Sequence, residues 1–314
     1  MRLAFIASGS VAADTRAYHE GLLAALAAVG HEARSLGDAA AFESLDAGTR
    51  ILVDASALPA LAGSAEKLVS RRAALLLARP AAHDAALGET ERSIRASLEA
   101  RLLPLFARVV VPNEAAAEEL RADGLADAAH LSVLASGSTA LPRSEGSGEA
   151  GPMLLSAGAP EAQEAVLRAL SRMPDLRWRL VLACGNADAP AALAAGLGLA
   201  DRLYATATLA ESLWRQADLF VQADAWDSYG LTVAEALRRG VPVASSSGGA
   251  PQMLLADGGI ACPPGDLVTL SKVLRRLLCD EALRAELTDA AWQAGQALPD
   301  WATQAAALVT LLGG

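Results

Sequence analysis

Lysine is nearly missing from this 314-residue chain: Lys67 and Lys272 are the only two among 26 basic residues, and the rest are arginine. Cysteine is also scarce. Cys184, Cys262 and Cys279 are far apart and form no Cys-x-x-Cys, which excludes a disulfide framework and a zinc site of ordinary spacing. Aromatic residues make up only 4%, and no uninterrupted apolar run approaches the roughly 20 residues that span a bilayer. The 53% hydrophobic content and mean hydropathy of +0.30 therefore reflect abundant alanine, and no transmembrane segment is expected. The apolar start, Met1 to Ala7, is too short for a signal peptide and reads as a strand, so the expected location is cytoplasmic. A basic excess is absent too. The net charge of -10 argues against nucleic acid as a partner, because phosphate backbones are bound through basic surfaces. No Asp-x-Asp occurs, so no bridging metal is expected, and neither a Gly-x-Ser-x-Gly nor a P-loop pattern is present. The first loop is no dinucleotide fingerprint, which argues against a dehydrogenase.

What is present is alternation of strand and helix. The first half reads as strands over 2–7, 31–36, 51–55, 73–78, 109–111 and 131–134, with helices over 15–29, 89–107 and 114–123. Between Ser136 and Pro152 the pattern lapses into a polar, glycine-rich stretch expected to be flexible. The second half restarts with strands over 153–157, 178–184, 202–205, 219–221 and 260–262, and helices over 161–172, 267–278 and 281–297. Such alternation predicts α/β architecture with doubly wound parallel sheets. The expected division is a first domain over 1–140, a linker over 141–151, a second domain over 152–298 and a last helix over 299–314 packing back.

The segment from Asp218 to Pro264 is the most informative. Leu219 to Val221 reads as a buried strand, and a helix from Leu231 ends at Arg238, Arg239, Gly240 and Pro242. The loop between them lies at a strand's carboxyl end, the edge where open parallel sheets bind ligands. A helix N-terminus at that edge offers unpaired N–H groups and the positive end of a dipole to an anion. Asp227 and Glu235 flank Gly230, and Glu235 stands one turn inside the helix.

The ordered run from Ala223 to Asp266, Asp-Ser-Tyr-Gly-Leu-Thr-Val-Ala-Glu-Ala-Leu-Arg-Arg-Gly-Val-Pro-Val and then Gly-Gly and Asp-Gly-Gly-Ile-Ala-Cys-Pro-Pro-Gly-Asp, resembles the retaining GT-B glycosyltransferases, glycosyltransferase family 4 in particular. Weaker matches are Val29-Gly30-His31-Glu32, Ala82-His83-Asp84 and Val110-Val111-Pro112-Asn113. The resemblance implies two Rossmann-like domains facing a cleft. A nucleotide-sugar donor, UDP- or GDP-linked, would be held by the second domain and an unidentified acceptor by the first. It implies no further cofactor. Glu235 would accept hydrogen bonds from the ribose hydroxyls, a task suited to a carboxylate facing a vicinal diol. Asp227, where the family usually has Glu, and His83 would face the donor sugar. Gly230, Leu231 and Thr232 would receive phosphate, with Tyr229 also donor-binding, Gly248 and Gly249 lining the same edge and Gly9 and Ser10 approaching from the first loop.

The family commonly supplies an Arg and a Lys to the departing phosphate, where cations stabilise the charge that develops. Around Gly158 this chain reads Gly-Ala-Pro-Glu-Ala-Gln-Glu-Ala, with neither, and Gln252 replaces an acid the family often has. Arg16 and Arg79 are the candidate substitutes. Two alternatives stand beside transfer of a hexosyl unit: a nucleotide-sugar-binding partner subunit that does not catalyse, and a nucleotide-sugar epimerase.

Overall fold

The structure is a computed structural model and describes residues 1–8, 11–37, 42, 45–148 and 151–313. Its contacts divide the chain into two compact units, residues 1–137 with 299–314, and residues 138–298.

The first unit runs β1 (Arg2–Ile6), α1 (Ala13–Ala28), β2 (Glu32–Leu36), β3 (Thr49–Asp54), α2 (Leu58–Leu61), α3 (Ala65–Ser70) and β4 (Ala74–Leu76). It continues with α4 (Glu89–Leu102), β5 (Arg108–Val111), α5 (Glu114–Ala122) and β6 (Leu131–Val133). The strands form one sheet in the order β2-β1-β3-β4-β5-β6, every pair parallel. Leu75, Leu76, Val109, Val110 and Val111 are buried, which is why these strands read as continuous apolar runs without alternation. Helix α4 stops at Leu102, short of the expected 107, and a 3₁₀ turn over Leu103–Leu105 follows. Pro104 is the cause, since it lacks an N–H and its ring crowds the preceding turn. Asn113 caps α5, its side chain accepting from the Ala116 N–H at 2.9 Å.

Glu99 of α4 lies in this unit's interior, 5% exposed, and accepts from the Ala81 N–H at 2.9 Å. Burial pushes its carboxyl up to about 7 from 4.5. A raised folded-state value means that the folded chain holds this proton more tightly than the unfolded one. The stabilisation is complete below the unfolded value and is lost as pH rises through about 7. Glu99→Gln keeps an acceptor without the charge. Its melting temperature relative to the parent should therefore climb by roughly 2–4 °C between about pH 5 and 8. A constant difference across that range in thermal scans would contradict the assignment.

The second unit runs β7 (Met153–Ala157), α6 (Pro160–Leu170), β8 (Arg179–Ala183), α7 (Asp188–Gly196), β9 (Leu203–Thr206), α8 (Glu211–Trp214), β10 (Leu219–Gln222) and β11 (Trp226–Asp227). It ends with α9 (Leu231–Arg238), β12 (Val243–Ser245), β13 (Gly248–Gly249), α10 (Ala250–Leu254), β14 (Gly259–Ala261), α11 (Leu267–Cys279) and α12 (Glu281–Ala297). Its main sheet is also parallel and six-stranded, in the order β14-β12-β10-β7-β8-β9. Successive side chains of a strand point to opposite faces. Leu154, Leu219 and Val221 join Val166, Leu170, Leu270 and Leu274 in one core, while Leu155 and Phe220 join Trp214, Val233, Leu237 and Ala291 in the other. The sheet is thus covered on both sides. The polar stretch expected to be a flexible linker is held to this unit where described. Ser144 donates from N to the Arg239 carbonyl at 2.8 Å and from Oγ to Ala217 O at 2.8 Å. Asp218 accepts from the Ser147 and Met153 N–H groups at 3.2 and 2.7 Å.

The last helix, α13 (Trp301–Leu311), returns to the first unit. Trp301 seats its ring where a Cβ on Gly21 would come within 2.6 Å of it, and stands 5.9 Å from the Tyr18 ring. Among the described residues no helix is long and apolar enough to cross a membrane.

Candidate active site

The site grows from the carboxyl end of β10. Past Gln222 the chain leaves the main sheet and forms a two-stranded parallel pair in which Trp226 faces Gly248 and Asp227 faces Gly249. The pair draws both halves of the sequence signal together: the acidic loop and the glycine pair are hydrogen-bonded neighbours. The approach is close. A Cβ on Gly249 would stand 2.4 Å from the Asp227 carbonyl oxygen, and its φ of +83° belongs to glycine. The need for these glycines is met within the protein, by chain packing.

Asp227 is occupied by its own loop. Oδ1 accepts from the N–H groups of Tyr229 at 3.0 Å and Gly230 at 2.8 Å, and Oδ2 accepts from Gln222 Nε2 at 2.8 Å. It therefore fixes the turn that launches α9. Gly230 sits at the N-cap in the left-handed region, φ +64°. The first intrahelical bond runs from Ala234 N–H to the Gly230 carbonyl at 2.8 Å, so the N–H groups of Leu231 and Thr232 lie ahead of the helix ladder at the positive end of its dipole. Tyr229 differs from expectation: it is 1% exposed and belongs to the interior, and its N–H is taken by Asp227.

Glu235 stands one turn into α9 with its side chain 36% exposed. Oε1 accepts from Arg239, at 3.0 Å from Nη2 and 3.3 Å from Nε. Burial raises the carboxyl above its usual range, and the Arg239 hydrogen bond and charge oppose that rise. Arg239 itself is the residue that sequence reasoning passed over. Read only as part of a helix-ending pair, it is four residues from Glu235, the spacing at which helical side chains meet.

Asp224 was also passed over. It follows β10, and its Oδ1 accepts from the Ala159 N–H at the start of α6 at 2.9 Å, while Oδ2 lies 3.4 Å from Gln222 Nε2. Burial raises its carboxyl, and the Asp227 charge adds to the effect. A carboxylate thus lies at the stretch around Gly158, where the resemblance called for cations. Gln252 donates to the carbonyls of Ser247 at 2.7 Å and Cys262 at 3.2 Å, tying α10 to the ends of β12 and β14.

In the first unit His83 and Arg79 belong to one ion-pair cluster. His83 Nε2 is 2.8 Å from Asp123 Oδ2, and Arg79 grips Glu119 through Nε at 3.0 Å and Nη2 at 2.7 Å. Arg79 is therefore already neutralised by a half-buried acid. Arg16 is exposed, with one bond from Nη2 to the Val11 carbonyl at 3.4 Å. Gly9 and Ser10 lie outside the described residues.

Both units have the parallel, doubly wound form of the GT-B architecture, and the whole chain can be laid over solved structures of that kind. Sucrose-phosphate synthase from Thermosynechococcus elongatus is 19% identical, with 99% of this chain and 98% of that one covered and a TM-score of 0.82. HepE of Anabaena in complex with UDP is 16% identical over 99% of both chains at a TM-score of 0.72. WaaG, a glycosyltransferase involved in lipopolysaccharide biosynthesis, is 16% identical over 99% of this chain and 100% of its own, at 0.69. At such identities the likeness is one of fold. The family model described as Glycosyl transferases group 1 matches residues 151–280. That span holds every second-unit residue of the candidate site, and the match likens this part of the chain to the group 1 glycosyl transferases. The match does not favour the epimerase reading. No curated protein matches the chain by sequence.

Proposed function

We propose that this cytoplasmic enzyme moves a hexosyl unit, with retention, from a nucleoside diphosphate sugar to an acceptor that remains to be identified. The observation that carries the reading is the start of α9. The N–H groups of Leu231 and Thr232, unpaired among the described residues, stand at a strand's carboxyl edge, with the half-buried Glu235 carboxylate one turn further on. Glu235 anchors the pentose, and Leu231 and Thr232 receive phosphate. Asp227 shapes the turn through its backbone bonds. UDP is the first nucleotide to test, because HepE is a structural neighbour in complex with UDP. No side chain is assigned as a nucleophile. In a front-face route the departing phosphate assists deprotonation of the acceptor, and the protein supplies position and charge.

The placement of Asp224 beside Ala159, with no arginine or lysine in that stretch, favours one second reading: a subunit that binds the donor without transferring it. Calorimetric titration with UDP and with GDP, followed by an assay for sugar release from the tighter-binding donor, separates the two. Binding with release is expected. Binding without release selects the subunit, and failure of both nucleotides to bind removes both readings.

A further inference from the structure

Arg239 is buried where two acids converge on a single cation, the one such place among the described residues of the second unit. Its side chain is 4% exposed. Nη1 and Nη2 form a fork on Glu211 at 2.8 and 2.7 Å, and Nε and Nη2 reach Glu235 Oε1 at 3.3 and 3.0 Å. The indole of Trp214 underlies the guanidinium, 5.5 Å from carbon to ring centroid. Glu211, half exposed at the start of α8, already neutralises the arginine through both terminal nitrogens, the strongest geometry available to such a pair. A purely structural arginine would need no second acid. Contact with Glu235 is made through one oxygen only, and among the described residues Oε2 accepts no protein hydrogen bond.

We propose that Arg239 is a positioning residue, which keeps the Glu235 carboxylate charged and fixed through Oε1 so that Oε2 meets the pentose hydroxyls of a nucleoside diphosphate. This rests on the reading of Glu235 as the pentose anchor. Two charged groups act on Glu235: Arg239 from its own helix and Glu211 from α8. Burial and the Glu211 charge both disfavour ionisation of Glu235, and Arg239 alone opposes them. Without the arginine, Glu235 would stay protonated to a higher pH. A protonated carboxyl has lost part of its capacity to accept two hydroxyl donors at once.

The test is UDP titration by calorimetry from mildly acidic to mildly alkaline pH, on the full chain and on Arg239→Met, Arg239→Lys, Glu235→Gln and the double variant. Arg239→Met should weaken binding on the order of tenfold near neutral pH and move the acid limb of the affinity profile upward. Arg239→Lys should restore part of the affinity and return the limb towards its original position, since the charge is kept. In the Glu235→Gln background, Arg239→Met should add less than about a twofold loss. Should Arg239→Met fail to fold, Glu211→Gln replaces it. That change removes the opposing charge, so the acid limb should move to lower pH. An unmoved limb in either variant, or full additivity with Glu235→Gln, overturns the inference while leaving the anchor in place. If Glu235→Gln alone leaves UDP affinity unchanged, the anchor itself fails and the role of Arg239 falls with it.

Discussion

Glu235→Ala should raise the dissociation constant for UDP or GDP by more than about tenfold, the cost of losing charged hydrogen bonds to a pair of hydroxyls. The carboxylate is held rather than free: Arg239 fixes Oε1 at 3.0 Å, and the side chain is only 36% exposed. Its ordering is thus completed on folding, and little of the binding energy goes into immobilising it. Truncation also leaves Arg239 with Glu211 as its remaining acid, so the fold should survive with its fork intact. Calorimetry reads the affinity, and a thermal scan confirms that the variant is folded. An unchanged dissociation constant would remove the pentose assignment.

Gly249→Ala should produce the largest loss of stability of any single change considered. The added methyl would lie 2.4 Å from the Asp227 carbonyl oxygen and 3.0 Å from Trp226 Cε2, with backbone on one side and a packed indole on the other. The backbone angles, φ +83° and ψ -138°, add strain that only glycine avoids. Together these should cost at least about 3 kcal/mol, lowering the melting temperature by roughly 6–12 °C. Nucleotide binding should fall with it, because β13 is the partner that holds Asp227 beside the α9 turn. Gly185→Ala is the control. No atom lies within 4 Å of its added Cβ, and its effect should stay within about ±0.5 kcal/mol. Equal melting temperatures for the two variants would show that β11 and β13 separate at no cost.

Much of the scaffold was legible because its signals are local. Val109, Val110 and Val111, or Leu219, Phe220 and Val221, form short apolar runs whose length and β-branched or aromatic content suit a buried parallel strand. Asn113, Asp266 and Asp280 announce helix starts, and each accepts from an N–H three residues on. Helices α2, α3, α7, α8 and α10 were not legible: with four to nine residues they carry little periodicity, whereas the equally short α5 and α9 are marked by Asn113 at the start of one and by Gly240 and Pro242 after the other.

At the site the acids and glycines were visible as a pattern, while what engages them was not. The bonds from Asp227 to Tyr229 and Gly230 depend on a turn geometry that the letters do not specify. The contact of Asp224 with Ala159 joins residues 65 apart in sequence. The Arg239 clamp on Glu211 spans 28 residues and depends on α8 folding onto α9. Only its Glu235 half, at the i, i+4 spacing, was open to discovery.

The return of α13 to the first unit bears on how the protein can be dissected. Residues 138–298 are contiguous and can be expressed as one uninterrupted fragment. The other body is discontinuous. A gene fragment ending at residue 137 would encode it without Trp301, baring the notch at Gly21 and the ring of Tyr18 that the indole covers. A faithful isolated version needs residues 299–314 restored, by circular permutation or by a short graft after residue 137.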